Sequence, residues 1–269
     1  MIIGTSPNGI FKVDTKTEKV EWVQKGNFFG VSKIGRESFS DIFVAERKEW
    51  GTLLRQYNSS TLTQSKKQYV KEAHDVHQIY SYLNDYNASL WILVTDTKHN
   101  RIVNILPSGI KQIIDINEDT SKDINHVNAV GIDHNSLIHI GLNNRGNKES
   151  QVIKVLDSGI DVITLEGVYH THDLEPYQGD MLISASHQGF VYSLNRKEPL
   201  FYTGDVWTRG ITVSVDGIWV GYSAVSPRSS RQDPSLKNSI NLFSHHKFEL
   251  IKNIEIEGAG QINDLVWIE

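Results

Sequence analysis

The chain has no cysteine among its 269 residues. Disulfide frameworks, cysteine-ligated zinc and thiol nucleophiles are therefore excluded. No apolar run approaches the ~18 residues needed to cross a bilayer as a helix, so no membrane association is expected. The start, MIIGTSPNG, has neither a basic region nor a long apolar stretch. That predicts no signal peptide and a cytoplasmic location. Like charges do not gather into blocks, and the net charge is -5, so nothing suggests binding to nucleic acid or to an anionic membrane surface. A Gly-x-Ser-x-Gly elbow, a P-loop and a Gly-x-Gly-x-x-Gly fingerprint are all missing. Helical periodicity is scarce, and the stretch 61–73 reads as a loop followed by an outer strand.

What is present is repetition. Four copies of one pattern are plain in the sequence. HDVH at 74–77 precedes SLWILVTD at 89–96, and NHVN at 125–128 precedes SLIHIGLN at 136–143. HDLE at 172–175 precedes DMLISAS at 180–186, and RGIT at 209–212 precedes GIWVGYS at 217–223. Each copy opens with polar residues and continues in β-branched and aromatic stretches. Turn signals such as Asp133, Gly189, Asp216, Pro107 and Asp157 separate the stretches. Aligned openings fall at Phe29, His74, Asn125, His172, Arg209 and Asn263. Four short strands at a period of roughly 45 residues describe a propeller blade.

The sixth unit is divided between the two ends. The last stretch, QINDLVWIE, supplies only a first strand, and the stretches at 1–6, 9–14 and 19–23 supply the other three. The expectation is an all-β, six-bladed propeller formed as one domain over 1–269. Its closing blade pairs the C-terminal strand with N-terminal strands. A β-sandwich has no need of such even spacing.

This topology puts the openings of the first strands on one face, around a central channel, with the second-to-third-strand loops on the same rim. That mouth is expected to gather His74, Asp75, His77, His126, Asn128, His172, Asp173, Glu175, Arg209 and Asp264. The longest rim loop, 224–238, adds Arg228 and Arg231. Polar side chains in enclosed positions are costly unless paired, wet or bound to a ligand. Histidine with carboxylates suits proton transfer and metal binding. His172 and His74 are the expected bases or ligands, with Asp173 orienting the base. His77, Asn128, Glu175, Arg209, Arg228 and Asp264 are the expected ligand contacts. A divalent metal would be held by His74, His126 and His172, and an anion by Arg209 with Arg228. The expected activity is metal-assisted hydrolysis or lyase chemistry on a small polar or anionic substrate. The competing reading is a non-catalytic scaffold that holds a protein partner on the same rim.

Two stretches carry resemblances. DTKHNRIV at 96–103 is similar to a strand-turn-strand signature of NHL and SMP-30-type six-bladed propellers. TRGITV at 208–213, with GIWVGYS at 217–223 and Pro227 and Arg228 after it, resembles the uncharacterised DUF4915-type propellers over about one blade. The SMP-30 resemblance implies a metal-dependent lactonase or esterase, with Glu, Asn and Asp on the metal. This chain departs from that pattern in its histidine-rich ring and in having no glutamate at 2–7. The DUF4915 resemblance implies a fold and no activity.

Overall fold

A computed structural model describes residues 1–34, 41–83, 89–106, 108–109, 111–156 and 158–269. Pro107 and Asp157, read above as turn residues, lie outside the described residues. The strands follow in chain order as β1 (Ile2–Ser6), β2 (Gly9–Val13) and β3 (Val20–Lys25), then β4 (Phe28–Ile34), β5 (Asp41–Lys48), β6 (Gly51–Asn58) and β7 (Gln64–Val70). Next come β8 (Ile79–Leu83), β9 (Leu90–Asp96), β10 (Arg101–Ile105) and β11 (Lys111–Asp115), then β12 (Val127–Ile132), β13 (Ile138–Leu142), β14 (Gln151–Leu156) and β15 (Gly159–Thr164). β16 (Thr171–Tyr177), β17 (Asp180–Ala185), β18 (Phe190–Ser193) and β19 (Glu198–Tyr202) lead to β20 (Val206–Ser214), β21 (Gly217–Ala224), β22 (Asn238–Phe243) and β23 (Leu250–Glu255), and β24 (Asp264–Trp267) is last. They form six four-stranded antiparallel sheets, the blades of a propeller. β7 is an outer strand, as the 61–73 stretch suggested.

The closing blade has the order β24-β1-β2-β3. Ile2 pairs with Trp267 and Thr5 with Asp264. The Met1 amino group donates to the Ile268 carbonyl at 2.9 Å, and Ile268 N–H donates back to Met1. The inner edge of this sheet is thus satisfied by strand pairing across the ends of the ring.

Six apolar clusters lie between neighbouring blades, one at each junction. Ile2 packs toward β21 and β22, whereas Ile3 packs toward β4 and β5. Adjacent residues of a strand point to opposite faces, and here both faces meet another blade. This is why inner stretches such as β9 are apolar almost throughout, with no alternation. Polarity is left to strand ends and turns, so the chemistry of the fold is concentrated at the two mouths of the channel.

Candidate functional site

Backbone bulges set the geometry of the upper mouth. The register of the innermost strands slips near their starts in β4, β12, β16 and β20. In three of them the extra residue is Asn128, Asp173 or Gly210. A bulge re-aims a side chain, and Asp173 takes a left-handed φ of 51° there. Its Oδ2 accepts from Gly210 N–H at 2.8 Å and from Ser184 Oγ at 2.9 Å. Gly210 has φ 73°, and a Cβ there would lie 2.8–2.9 Å from Leu265 and Asp264. Only glycine lets β20 come this close to β24.

Every junction of the ring carries such an inner link. Asp264 Oδ2 accepts from Val31 N–H at 2.9 Å, and Ser32 and Ser81 share a hydroxyl bond at 2.9 Å. Gln78 Oε1 accepts from Val130 N–H at 2.9 Å, and Asn128 Nδ2 donates to the Thr171 carbonyl at 2.7 Å. Asp173 joins β16 to β20, and Thr212 Oγ1 accepts from Trp267 N–H at 2.9 Å. Glu175 Oε1 accepts from Val213 N–H at 3.3 Å. Four residues expected at the ligand, Asn128, Asp173, Glu175 and Asp264, are therefore engaged in tying blades together. Burial in the channel raises Asp173 to about 6 and Glu175 to about 8. Burial, with Asp173 close by, pushes Asp264 well above the usual carboxylate range.

Above these links is a cavity of about 570 Å³, lined by His77, His126, His170, His172, Trp207 and Arg209 at its inner wall. Asp75, Lys98, Asp123, Asn143 and Arg145 complete one side, and Arg228 and Arg231 from the 224–238 loop close the other. The structure thus brings together His77, His126, His172, Arg209 and Arg228 as expected. His74 is not among the lining residues. Its ring lies 5.2 Å from that of His99, and its N–H donates to Asp96 Oδ1 at 2.9 Å. The reason is local: β8 begins only at Ile79, so His74 precedes the inner strand by more than a turn. Glu175 and Asp264 line a separate polar cavity deeper in the channel, beside Lys33 and Thr212.

Three imidazoles face each other in the mouth. The His77 ring centroid is 5.1 Å from that of His126 and 5.8 Å from that of His172. Burial, with Arg47 nearby, holds His77 well below the ordinary histidine range, and burial with Arg209 does the same to His172. Both are neutral at pH 7. His172 Nδ1 lies 2.8 Å from Ser186 Oγ and 3.2 Å from the His170 carbonyl. Ser186 Oγ gives its own proton to the Thr208 carbonyl at 2.7 Å. Nδ1 therefore carries the hydrogen, and Nε2 keeps its lone pair. The groups orienting His172 are Ser186 and a carbonyl; Asp173, expected in that role, points to Gly210.

The cationic side of the mouth has few ion pairs, and the carboxylate that acts on Arg209 is that of Asp173 in the channel below. Arg209 is only 4% exposed and has no ion pair among the described residues. Its Nε is buried without a partner, as are Arg231 Nε, Trp207 Nε1 and His77 Nε2. The Trp207 ring is close to both guanidiniums, 5.6 Å from Arg209 Cζ and 5.2 Å from Arg231 Cζ. Burial, then the proximity of Arg231, lowers Arg209 to about 9, which leaves it charged at pH 7. The two carboxylates in the lining are already matched: Asp123 to Arg145 and His126 at 2.8 Å each, and Asp75 to Arg47 at 2.7 Å.

A metal fits this set poorly. Among the described residues no three His, Asp or Glu side chains form a group that could hold a metal ion. His74, His126 and His172 do not converge, and the channel carboxylates are turned onto backbone N–H groups. Sequence reasoning missed Arg47, Asp123, His170 and Ser186. Ser186 has a weak signal, since it follows the apolar run of β17 where other blades carry Thr97 or Ser223.

No family model matches the sequence, and no curated protein matches it either. Solved structures do match in fold. A chain of the nidogen/laminin complex superposes with a TM-score of 0.73 at 9% identity, covering 98% of this chain and 97% of that one. The periplasmic gluconolactonase of Pseudomonas aeruginosa gives 0.58 at 12% identity, covering 98% and 97%. A catalytically inactive histidine-to-alanine variant of virginiamycin B lyase from Staphylococcus aureus, with quinupristin, gives 0.55 at 11%, covering 91% and 73%. These structures are similar in fold to the six-bladed propeller that this chain forms. The DUF4915-type resemblance gains no support from these comparisons. Among the described residues no helix is long and apolar enough to cross a membrane.

Proposed function

We propose that the channel mouth binds a small organic anion and that His172 exchanges a proton with it, as in a lyase or hydrolase acting on a small polar substrate. The observation that carries this reading is Arg209: a buried guanidinium with no ion pair among the described residues and an orphaned Nε, facing a cavity. A buried charge without an ion-pair partner is costly, and an anionic ligand lowers that cost. Arg209 and Arg231, both close to the Trp207 ring, hold the anion. His172 Nε2 offers the lone pair that takes a proton from the ligand or from water, and Arg209 stabilises the negative charge that develops. Fold neighbours that are a lyase and a gluconolactonase agree with chemistry at a propeller mouth by analogy of fold. No step is assigned to a metal.

The test is melting temperature in phosphate, sulfate and acetate at low ionic strength, against chloride. Oxyanions are expected to raise Tm in a concentration-dependent way, and R231Q and R209Q are expected to remove the rise. Identical melting in all four salts refutes the anion site. Turnover found among small anionic lactones, esters and β-substituted acids is expected to fall by about 10²-fold or more in His172→Gln. Undiminished turnover removes His172 from the mechanism.

A further inference from the structure

The unpaired cations in the mouth outnumber what one negative charge can match. Asp75 and Asp123 already accept from Arg47 and Arg145, and His77 and His172 are neutral. Arg209 and Arg231 line the cavity as buried and half-buried guanidiniums with no ion pair among the described residues, and Arg228 is exposed at its rim. A single carboxylate would leave an excess of like charge beside the buried Arg209 and half-buried Arg231. Resting on the anion-binding reading above, we propose that the ligand of this site is a phosphate monoester, a dianionic head group on a small organic body.

The donors suit that head group. Arg209 Nε, Arg231 Nε and Trp207 Nε1 are three buried, unpartnered N–H groups, and they belong to side chains packed around one indole. A phosphate monoester presents three terminal oxygens to such a cluster, and guanidinium groups match its geometry in forked pairs. Convergence on one ring favours one compact dianion over a dicarboxylate, whose charges are spread along a chain. The size of the cavity argues for an ester and against bare phosphate: about 570 Å³ falls among sites for whole small molecules, roughly 300–1,000 Å³. The neutral His172 lies in the same lining, where the organic body would sit beside it. A neutral lactone, the substrate class implied by the SMP-30 resemblance, would leave all three guanidiniums unmatched.

Calorimetric titration with phenyl phosphate and phenyl sulfate at pH 7.5 decides the matter. The two share a body and a tetrahedral head, but the phosphate carries a second charge above its pKa of about 6. Phenyl phosphate is expected to bind at least about tenfold more tightly. The gap is expected to collapse in the R228Q/R231Q double variant, which alters only loop side chains outside the core. Equal affinities overturn the phosphate assignment while leaving an anion site in place, as does succinate binding as tightly as phenyl phosphate. Binding of neither aryl ester overturns the anion reading itself, and this assignment with it.

Discussion

His172 is a base whose strength depends on the charge state of its surroundings. Burial and the Arg209 guanidinium depress its pKa, and the Ser186 hydroxyl holds its proton on the side away from Nε2. An anion on Arg209 would offset the cationic field, so the imidazolium form would become less costly. The His172 pKa is therefore expected to rise when phosphate binds. An NMR titration of the ring protons with and without phosphate reads this directly; an unchanged or lowered pKa shows that the anion sits elsewhere. Arg209 and His172 were legible in the sequence because they open repeat-equivalent strands. Arg47 was not, since it lies near the end of a second strand, β5, and reaches the mouth only through its length and its contact with the Phe29 ring, 3.5 Å from Cζ to the centroid.

The inner strands do their positioning through bulges, which hydrophobic periodicity does not reveal. β20 is the clearest example. Gly210 sits at φ 73° within 2.9 Å of where a Cβ would meet β24, and its N–H is the donor that fixes Asp173. Gly210→Ala is expected to destabilise the protein by about 1–3 kcal/mol, from left-handed strain and the clash with Leu265. Urea unfolding measures it, and a change within experimental error would mean that β20 can shift without cost. Asp173 and Asn128 were legible as polar residues in enclosed places, but their role was not. Sequence shows an Asp beside a His and suggests a catalytic pair. The bulge turns the Asp toward the next blade and leaves the His in the cavity. The 224–238 loop was legible in length and in its rim position. That Arg231 reaches Trp207 depends on the loop's anchoring: the Arg231 carbonyl accepts from Gln261 N–H at 2.8 Å and Asn8 Nδ2 donates to the Gln232 carbonyl at 3.0 Å.

Closing a ring of six blades encloses titratable groups that an open sheet would leave in water, and this gives the molecule a characteristic pH response. Glu175 is raised from 4.5 to about 8, so the folded state holds more protons than the unfolded state between those values. Stability from this group is present at low pH and is lost as pH rises through about 8. Asp264 acts in the same direction. The depressed His77 and His172 act oppositely, but only below the ordinary histidine value of 6.5. Between pH 6.5 and 8 the raised carboxylates are opposed by the Met1 amino group, whose pKa burial lowers from 8.0, and with two carboxylates against it stability is expected to decline. Denaturation midpoints across that window test this, with Glu175→Gln expected to flatten the slope. A midpoint that rises with pH there would show that Glu175 is already ionised in the folded protein.

The amino-acid sequence by itself determined the architecture: strands buried on both faces must be apolar throughout, and their recurrence at a fixed period, with one unit divided between the ends, leaves a closed six-bladed ring as the arrangement that covers them all. It also marked one mouth of the channel, because the polar openings of the inner strands must lie on one face. Which of those polar residues line the mouth cavity was decided only by tertiary structure. Hydrogen-bonding side chains of the same type can serve a blade junction or a cavity, and the choice rests on bulge geometry a few ångströms across and on partners more than thirty residues away in sequence, as with Asp173 and Gly210. Asp173 and Asn128 tie blades together, and His172, His77 and Arg209 line the mouth cavity.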